Sequence, residues 1–252
     1  MSSERRLQGK HVVVLGASRG VGRQIAQRAS AEGAQVLAVA RREDGLAELA
    51  KTAPGVATLA LDAASEAAPQ RVFGEGKPDL LVICGGAIPP VRPIPELSWA
   101  EFAVNWEVDA KMAFLFCREA LRAPLAPGSV VAIVSSGAGL SGSPISGGYA
   151  GAKRMQMFLA KYCQAESDRR ELGIRFVALV PSRVMPETDL GQAAVNGYAR
   201  YLGVPAEKFI ENMGARQSPA DVAQAVLDIA IRRPADAGSI FTISADGVAA
   251  AS

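Results

Sequence analysis

Short apolar runs rich in Val, Ile and Leu recur along the chain, separated by stretches whose apolar residues fall at helical spacing. The runs are Val12 to Leu15, Val36 to Ala40, Thr58 to Leu61, Leu80 to Cys84, Val130 to Ser135, Phe176 to Val180 and Ile240 to Ile243. A run that is apolar at consecutive positions must be covered on both faces. Such runs alternating with helices predict an α/β fold, a doubly wound parallel sheet of about seven strands with helices on both sides. Local signals mark helix boundaries: Ser98 and Glu101 form a capping-box pattern, Ser218-Pro219 an N-cap followed by proline, and Gly33 a C-terminal stop. Residues 188–214 are helical in pattern but follow no strand of their own. They are expected to be a pair of helices covering a pocket within one domain that spans residues 1–252.

Composition narrows the function. In 252 residues, 49% are hydrophobic and 21% charged, enough for one large core. A net charge of +2 does not suggest nucleic acid or a membrane surface as partner, so a small molecule fits better. No stretch approaches the length of a membrane span, and no signal peptide is expected before Gly16. Cys84, Cys117 and Cys163 show no paired spacing, so neither a disulfide framework nor a zinc site is expected, and the compartment is expected to be the reducing cytoplasm. The only histidine, His11, stands beside the first strand and is expected to be a surface residue at the strand end, with no metal site built on several histidines and no His-based nucleophilic triad.

Directly after the first strand comes Gly16-Ala17-Ser18-Arg19-Gly20-Val21-Gly22, leading into a helix. Glycines at such a strand-to-helix turn let the backbone approach a pyrophosphate, which then lies at the positive end of the helix, as in a Rossmann-type dinucleotide site. At the end of the second strand, where such sites place an acid for the ribose hydroxyls, stands Ala40, followed by Arg41 and Arg42. With Arg19, these cations are expected to hold a 2′-phosphate, which makes the cofactor NADP(H). The alternative is that Arg41 and Arg42 are solvated loop charges.

Tyr149 and Lys153 lie four residues apart on a helix that follows a Gly/Ser/Pro-rich loop, so their side chains share a face. For tyrosine to serve as an acid/base near neutrality, its pKa of about 10 must move toward 7, which takes about 3 to 4 kcal/mol of phenolate stabilisation. A partly buried ammonium, aided by an oxidised nicotinamide, is of the right size. Ser136, which follows the fifth strand, is the third member of the set.

With these residues the chain resembles the short-chain dehydrogenase/reductase family, in its compact branch, over roughly Gly9 to Val248. The resemblance rests on Gly16, Gly20 and Gly22; Asp62; Gly85-Gly86; Ser136, Tyr149 and Lys153; Pro181-Ser182-Arg183-Val184; and Ala245-Asp246-Gly247. It implies that Asp62 and Ala63 hold the adenine, Ser136 bonds the substrate oxygen and Tyr149 transfers the proton. It also implies that Lys153 binds the nicotinamide ribose, that the Val184 backbone holds the carboxamide, and that the protein is a homodimer or homotetramer. Helices over Val108 to Arg122 and Tyr149 to Arg169 would form the contact, their apolar residues including Phe114, Leu115, Phe116, Met155, Met157 and Phe158. The implied activity is interconversion of a carbonyl and an alcohol on a small substrate. Apolar or small pocket candidates, Gly139 to Ile145, Met185, Leu190, Tyr198 and Tyr201, suggest that this substrate is moderately hydrophobic.

Several positions depart from the family. Cys84 replaces a bracing Asn, Ser182 replaces a Gly, and Pro186 stands where a Thr is usual, with Thr188 two places on. Asp109 occupies the position of the proton-relay Asn, with Asn105 nearby but out of register. Its carboxylate either approaches Lys153 and offsets part of that charge, or turns away and leaves only its backbone carbonyl to the relay. These departures keep a second reading open, a non-catalytic NADP-binding sensor or scaffold on the same fold.

Overall fold

The computed structural model describes residues 5–214, 217–231, 238–245 and 247–251. Its strands are β1 (His11–Leu15), β2 (Gln35–Ala40), β3 (Ala57–Ala60), β4 (Leu80–Ile83), β5 (Val130–Val134), β6 (Arg175–Pro181), β7 (Ile240–Ser244) and β8 (Gly247–Ala250). The helices are α1 (Gly20–Ala31), α2 (Glu43–Thr52), α3 (Ala68–Gly74), α4 (Trp99–Asn105), α5 (Lys111–Arg122), α6 (Ala138–Ser141), α7 (Gly148–Arg169), α8 (Asp189–Leu202), α9 (Ala206–Asn212) and α10 (Pro219–Ile231).

Among the described residues the sheet has eight strands in the order β3-β2-β1-β4-β5-β6-β7-β8, parallel except for the last pair. The expected class holds, with one strand more than the apolar runs indicate. That strand, β8, is exposed at all four positions and pairs antiparallel along the free edge of β7, so burial left no apolar mark on it. Asp246, part of the family resemblance, lies outside the described residues.

Alternate residues of β1, β2, β4, β5, β6 and β7 feed two cores, while β3 has no buried position. Val12, Val14, Ala38, Val82, Ala132 and Leu179 face Ile25 and Ala29 of α1, Leu46 and Leu49 of α2, and Val222 and Val226 of α10. On the other face, Val13, Leu15, Val39, Leu81, Ile133 and Phe176 pack with Val72 of α3, Phe116 of α5 and Met157 of α7. The chain first builds outward from β1 to β3 and then returns to place β4 beside β1. Loops leaving those two neighbours therefore diverge and open a crevice at the C-terminal edge of the sheet.

The expected start signals are present: Ser98 Oγ accepts from the Glu101 N–H at 3.3 Å, and Ser218 Oγ accepts from the Asp221 N–H at 3.2 Å. Gly33 stops α1 at φ +92°. The helix expected over Val108 to Arg122 is corrected at its start. Trp106–Ala110 is a π turn joining α4 to α5, so Val108 and Asp109 lie in the bulge and not in a regular helix.

Phe116 is fully buried and meets Phe73 edge-on, with ring centroids 5.9 Å apart. Phe116→Ala is expected to cost about 3–5 kcal/mol, from lost transfer energy and the cavity left behind. Urea unfolding followed by circular dichroism measures it, and a loss below about 1 kcal/mol would contradict this packing.

Candidate active site

Loops following β1 to β6 open onto one cleft of about 720 Å³. It is lined by Gly16, Ser18, Arg19, Gly20, Val21 and Gly22 after β1, by Arg41 and Arg42 after β2, and by Asp62 and Ala63 after β3. Gly85 and Gly86 follow β4, Asp109 projects from the π turn, Ser136 follows β5, Tyr149 and Lys153 come from α7, and Pro181 and Val184 lie at the end of β6. Gly16 adopts φ +82°, and a Cβ there would lie 2.5 Å from the Gly85 backbone. Only glycine allows this turn and this approach, which set the ends of β1 and β4 against each other. α1 begins at Gly20 with no side-chain cap from Arg19 and no acidic residue in its first turn. Its leading N–H groups and its dipole thus present unneutralised positive character to the cleft, which suits a pyrophosphate.

The cations around this end differ in their engagement. Arg42 pairs with Asp44 at 2.6 Å, and this hydrogen bond, with that of the Gly45 N–H, holds the Asp44 carboxyl at about 2. Arg19 forms an ion pair with Asp189 at the start of α8, linking the loop after β1 to the segment expected to cover the pocket. Arg41 is exposed and makes no hydrogen bond or ion pair among the described residues. At the next rim, Asp62 Oδ1 accepts from the Ala64 N–H at 3.0 Å, which fixes the turn after β3.

Two glycines place the catalytic candidates. A Cβ on Gly148 would strike the Phe102 carbonyl, and one on Gly151 would lie 2.8 Å from the Trp106 ring. α7 therefore runs in close contact with α4 and the π turn, bringing Lys153 to Asp109. Lys153 Nζ lies 3.4 Å from Asp109 Oδ2, with only 7% and 1% of their side-chain surfaces exposed. Nζ also donates to the Val134 carbonyl at 3.3 Å, while Ser135 Oγ donates to the Lys153 carbonyl at 2.7 Å, tying α7 to the end of β5. The ammonium stands 5.6 Å from the centre of the Tyr149 ring.

Burial pushes the Lys153 pKa down, but Asp109, Tyr149 and Cys84 more than offset this, and the net shift is upward. Tyr149 also moves upward. Burial raises it, Lys153 and the hydrogen bond of Ser136 pull it down, and Asp109 and Cys84 raise it again. The expected fall of the tyrosine pKa is thus not a property of the protein side chains alone, because desolvation outweighs the ammonium.

Other expectations sort as follows. Of the two placements open for Asp109, the structure has the carboxylate facing Lys153. Asn105 is buried and donates to the Ala87 carbonyl at 2.9 Å and to Asp109 Oδ1 at 3.3 Å, so it joins the site after all. Thr188 does not supply a free hydroxyl, since its Oγ1 accepts from the Gly191 N–H at 2.9 Å and donates to the Met185 carbonyl at 2.8 Å as the cap of α8. Cys84 is half-buried in the cleft, and desolvation raises its thiol to about 11 against the pull of Lys153. Among the pocket candidates, Leu140, Ser141, Gly142, Ser143, Ile145, Met185, Leu190 and Tyr198 line the cleft. Tyr201, nearly half exposed, does not, because it projects from the outer side of α8. Asp189 was not foreseen, because its partner lies 170 residues away and nothing local marks the pairing.

Comparison with known proteins bears on the family and the fold. The family model for short chain dehydrogenases matches residues 10–198. L-xylulose reductase of Bos taurus is 33% identical over 192 residues, covering 75% of this chain and 77% of that protein. The 2,5-dichloro-2,5-cyclohexadiene-1,4-diol dehydrogenase of Sphingobium indicum is 30% identical over 257 aligned positions, covering 96% and 97%. Among solved structures, levodione reductase superposes with a TM-score of 0.78 at 23% identity, covering 90% of this chain and 92% of that one. The 3-ketoacyl-(acyl-carrier-protein) reductase from Brucella melitensis complexed with NADH gives a TM-score of 0.76 at 22% identity, covering 92% and 95%. At that identity these two structures speak for the fold alone. Family match, relatives and a cleft holding Ser136, Tyr149 and Lys153 lead to one conclusion: this chain belongs to the short chain dehydrogenase family and is an oxidoreductase.

Proposed function

We propose that the protein interconverts a carbonyl and an alcohol on a small, moderately hydrophobic substrate with NADP(H), using Tyr149 as the acid/base. The observation that carries this reading is the convergence of Ser136, Tyr149 and Lys153 in the cleft onto which the uncapped end of α1 opens. The reductase and dehydrogenase relatives support the same class of chemistry. When bound, the nicotinamide supplies or accepts the hydride.

The chain's own groups divide the remaining work. The glycine loop from Gly16 to Gly22 and the α1 N-terminus would take the pyrophosphate, and Arg19, Arg41 and Arg42 the 2′-phosphate. Asp62 and Ala63 would border the adenine. Gly85, Gly86, Tyr149 and Lys153 would line the nicotinamide ribose, and Pro181 to Val184 the carboxamide. Ser136 donates a hydrogen bond to the substrate oxygen. Tyr149 gives that oxygen its proton in reduction and takes it back in oxidation. Lys153 holds a positive charge beside the phenol. Helices α8 and α9 would cover the substrate end, where Leu190 and Tyr198 give an apolar lining.

A second copy of the chain is the further partner. Leu115, Phe116 and Met157, expected to belong to a contact surface, are buried in the core, which leaves Phe114, Phe158 and Tyr162 as the residues that would carry the contact. These stay 47%, 38% and 62% exposed on α5 and α7, and Phe158 and Tyr162 stack with centroids 6.0 Å apart. A cytoplasmic location remains part of this proposal, and no helix among the described residues is long and apolar enough to cross a membrane.

Three outcomes are expected. In fluorescence titrations NADPH binds more tightly than NADH, and Arg41→Ala reduces that preference about tenfold, the loss of one charge-assisted hydrogen bond; equal affinities in the wild type would sink the choice of cofactor. Across a panel of ketones and aldehydes the protein consumes NADPH, and Tyr149→Phe lowers turnover by about 100-fold or more while cofactor binding persists. A wild type silent on the whole panel that still binds NADPH would favour the sensor. Light scattering at micromolar concentration gives the mass of a dimer or tetramer; a monomer would leave the apolar patch without its proposed partner.

A further inference from the structure

The π turn carries an arrangement that the acid/base reading does not use. Asp109 is fully buried, and its Oδ1 is engaged twice, by the Ala87 N–H at 2.9 Å and by Asn105 Nδ2 at 3.3 Å. These donors fix the carboxylate so that Oδ2 faces Lys153 Nζ at 3.4 Å. Space for it depends on Gly86, since a Cβ there would lie 2.6 Å from Oδ2. The backbone carbonyl of residue 109 accepts from Gln156 Nε2 at 3.1 Å, so one of its two lone pairs is already engaged. An uncompensated buried charge costs several kcal/mol, and here each of the two charges meets its opposite. Seen from Tyr149, the ammonium is therefore one end of a neutral pair and not a lone positive charge.

We infer that Asp109 is a positioning residue that offsets part of the Lys153 charge and so, together with the burial of the phenol, keeps Tyr149 as the proton-bearing acid, which sets the site for carbonyl reduction at neutral pH. This rests on the reading of Tyr149 as the acid/base. In reduction the carbonyl carbon gains a hydride from the reduced nicotinamide, the Tyr149 O–H bond breaks, and its proton passes to the carbonyl oxygen. The phenolate left behind recovers a proton from solvent. Oxidation needs that phenolate at the outset. The charged or titratable groups facing Tyr149 are Lys153 on its own helix, Asp109 from the π turn and Cys84 after β4, while Ser136 after β5 donates a neutral hydrogen bond. The upward shift of both Tyr149 and Lys153 agrees with this balance. The sign follows directly. Reduction holds level below the Tyr149 midpoint and declines above it, whereas oxidation rises as pH climbs through the same midpoint.

The test needs no substrate at first. The phenolate absorbance of Tyr149 is titrated in the cofactor-free full chain as the difference between wild type and Tyr149→Phe, with circular dichroism reporting that the fold persists. The wild-type midpoint is expected above the value of about 10 for free tyrosine. In Asp109→Asn it is expected about one pH unit or more lower, because the ammonium then acts unopposed. Where hydride transfer limits the rate, as read from a deuterium isotope effect, the oxidation profile of Asp109→Asn shifts to lower pH by the same amount. A wild-type midpoint below about 10, or superimposable titrations of the two proteins, overturns the inference. Should Asp109→Asn not fold, Asp109→Ser takes its place in the same comparison, since burial alone also raises the wild-type midpoint. If the protein reduces no carbonyl at all, the acid/base reading fails, while the absorbance titration still decides what Asp109 does to Tyr149.

Discussion

A parallel strand has hydrogen-bonding neighbours along both edges and apolar side chains on both faces, so each step to the next parallel strand has to cross over the sheet, usually by a helix. Much else in this molecule follows from that requirement. It sends alternate residues of β1, β2, β4, β5 and β6 into two separate cores, and it delivers the loops after these strands to one edge. Where the winding reverses between β1 and β4, the two neighbouring loops part and leave a gap. The Gly16–Gly85 contact keeps the floor of that gap made of backbone.

The second determinant is how closely two helices can run. Gly148 and Gly151 present bare backbone to Phe102 and Trp106, and this removes the layer of side chains that usually separates packed helices. An ammonium and a carboxylate from different helices thereby meet away from solvent. The same closeness leaves Lys153 held by the Val134 carbonyl and joined to β5 through Ser135. Helix packing, strand end and site electrostatics are thus one assembly, and a change in any of them is felt at Tyr149.

Much of this was legible in the residues. Consecutive apolar positions marked β1 to β7; in all but β3 two-sided burial is the reason, whereas β3 is apolar in sequence yet has no buried position. Glycine spacing marked the turn after β1, and the Tyr149/Lys153 interval marked a shared helix face. What stayed hidden depends on partners distant in the chain or on energies that sequence does not display. Residues 247–250 form an edge strand with nothing to bury. The π turn packs against α7, and nothing in the residue pattern of Trp106–Ala110 marks it. The side chain of Asp109 had two placements open until Ala87 and Asn105 supplied its hydrogen bonds. The direction of the Tyr149 shift required the balance between burial and charge, in which burial proved larger than the identity of its neighbours suggests.

The fit between Gly86 and Asp109 also restricts how this chain can vary. Any side chain at position 86 would compete with Oδ2 for the same volume and push the carboxylate off its line to Lys153. The two positions are therefore epistatic. A methyl group at 86 is penalised while an aspartate occupies 109, and it becomes acceptable only after 109 has shrunk to a residue that leaves the space free. Routes by which such a sequence diverges must pass through position 109 first, and each such step disturbs the charge next to the reacting tyrosine before any benefit at 86 can follow.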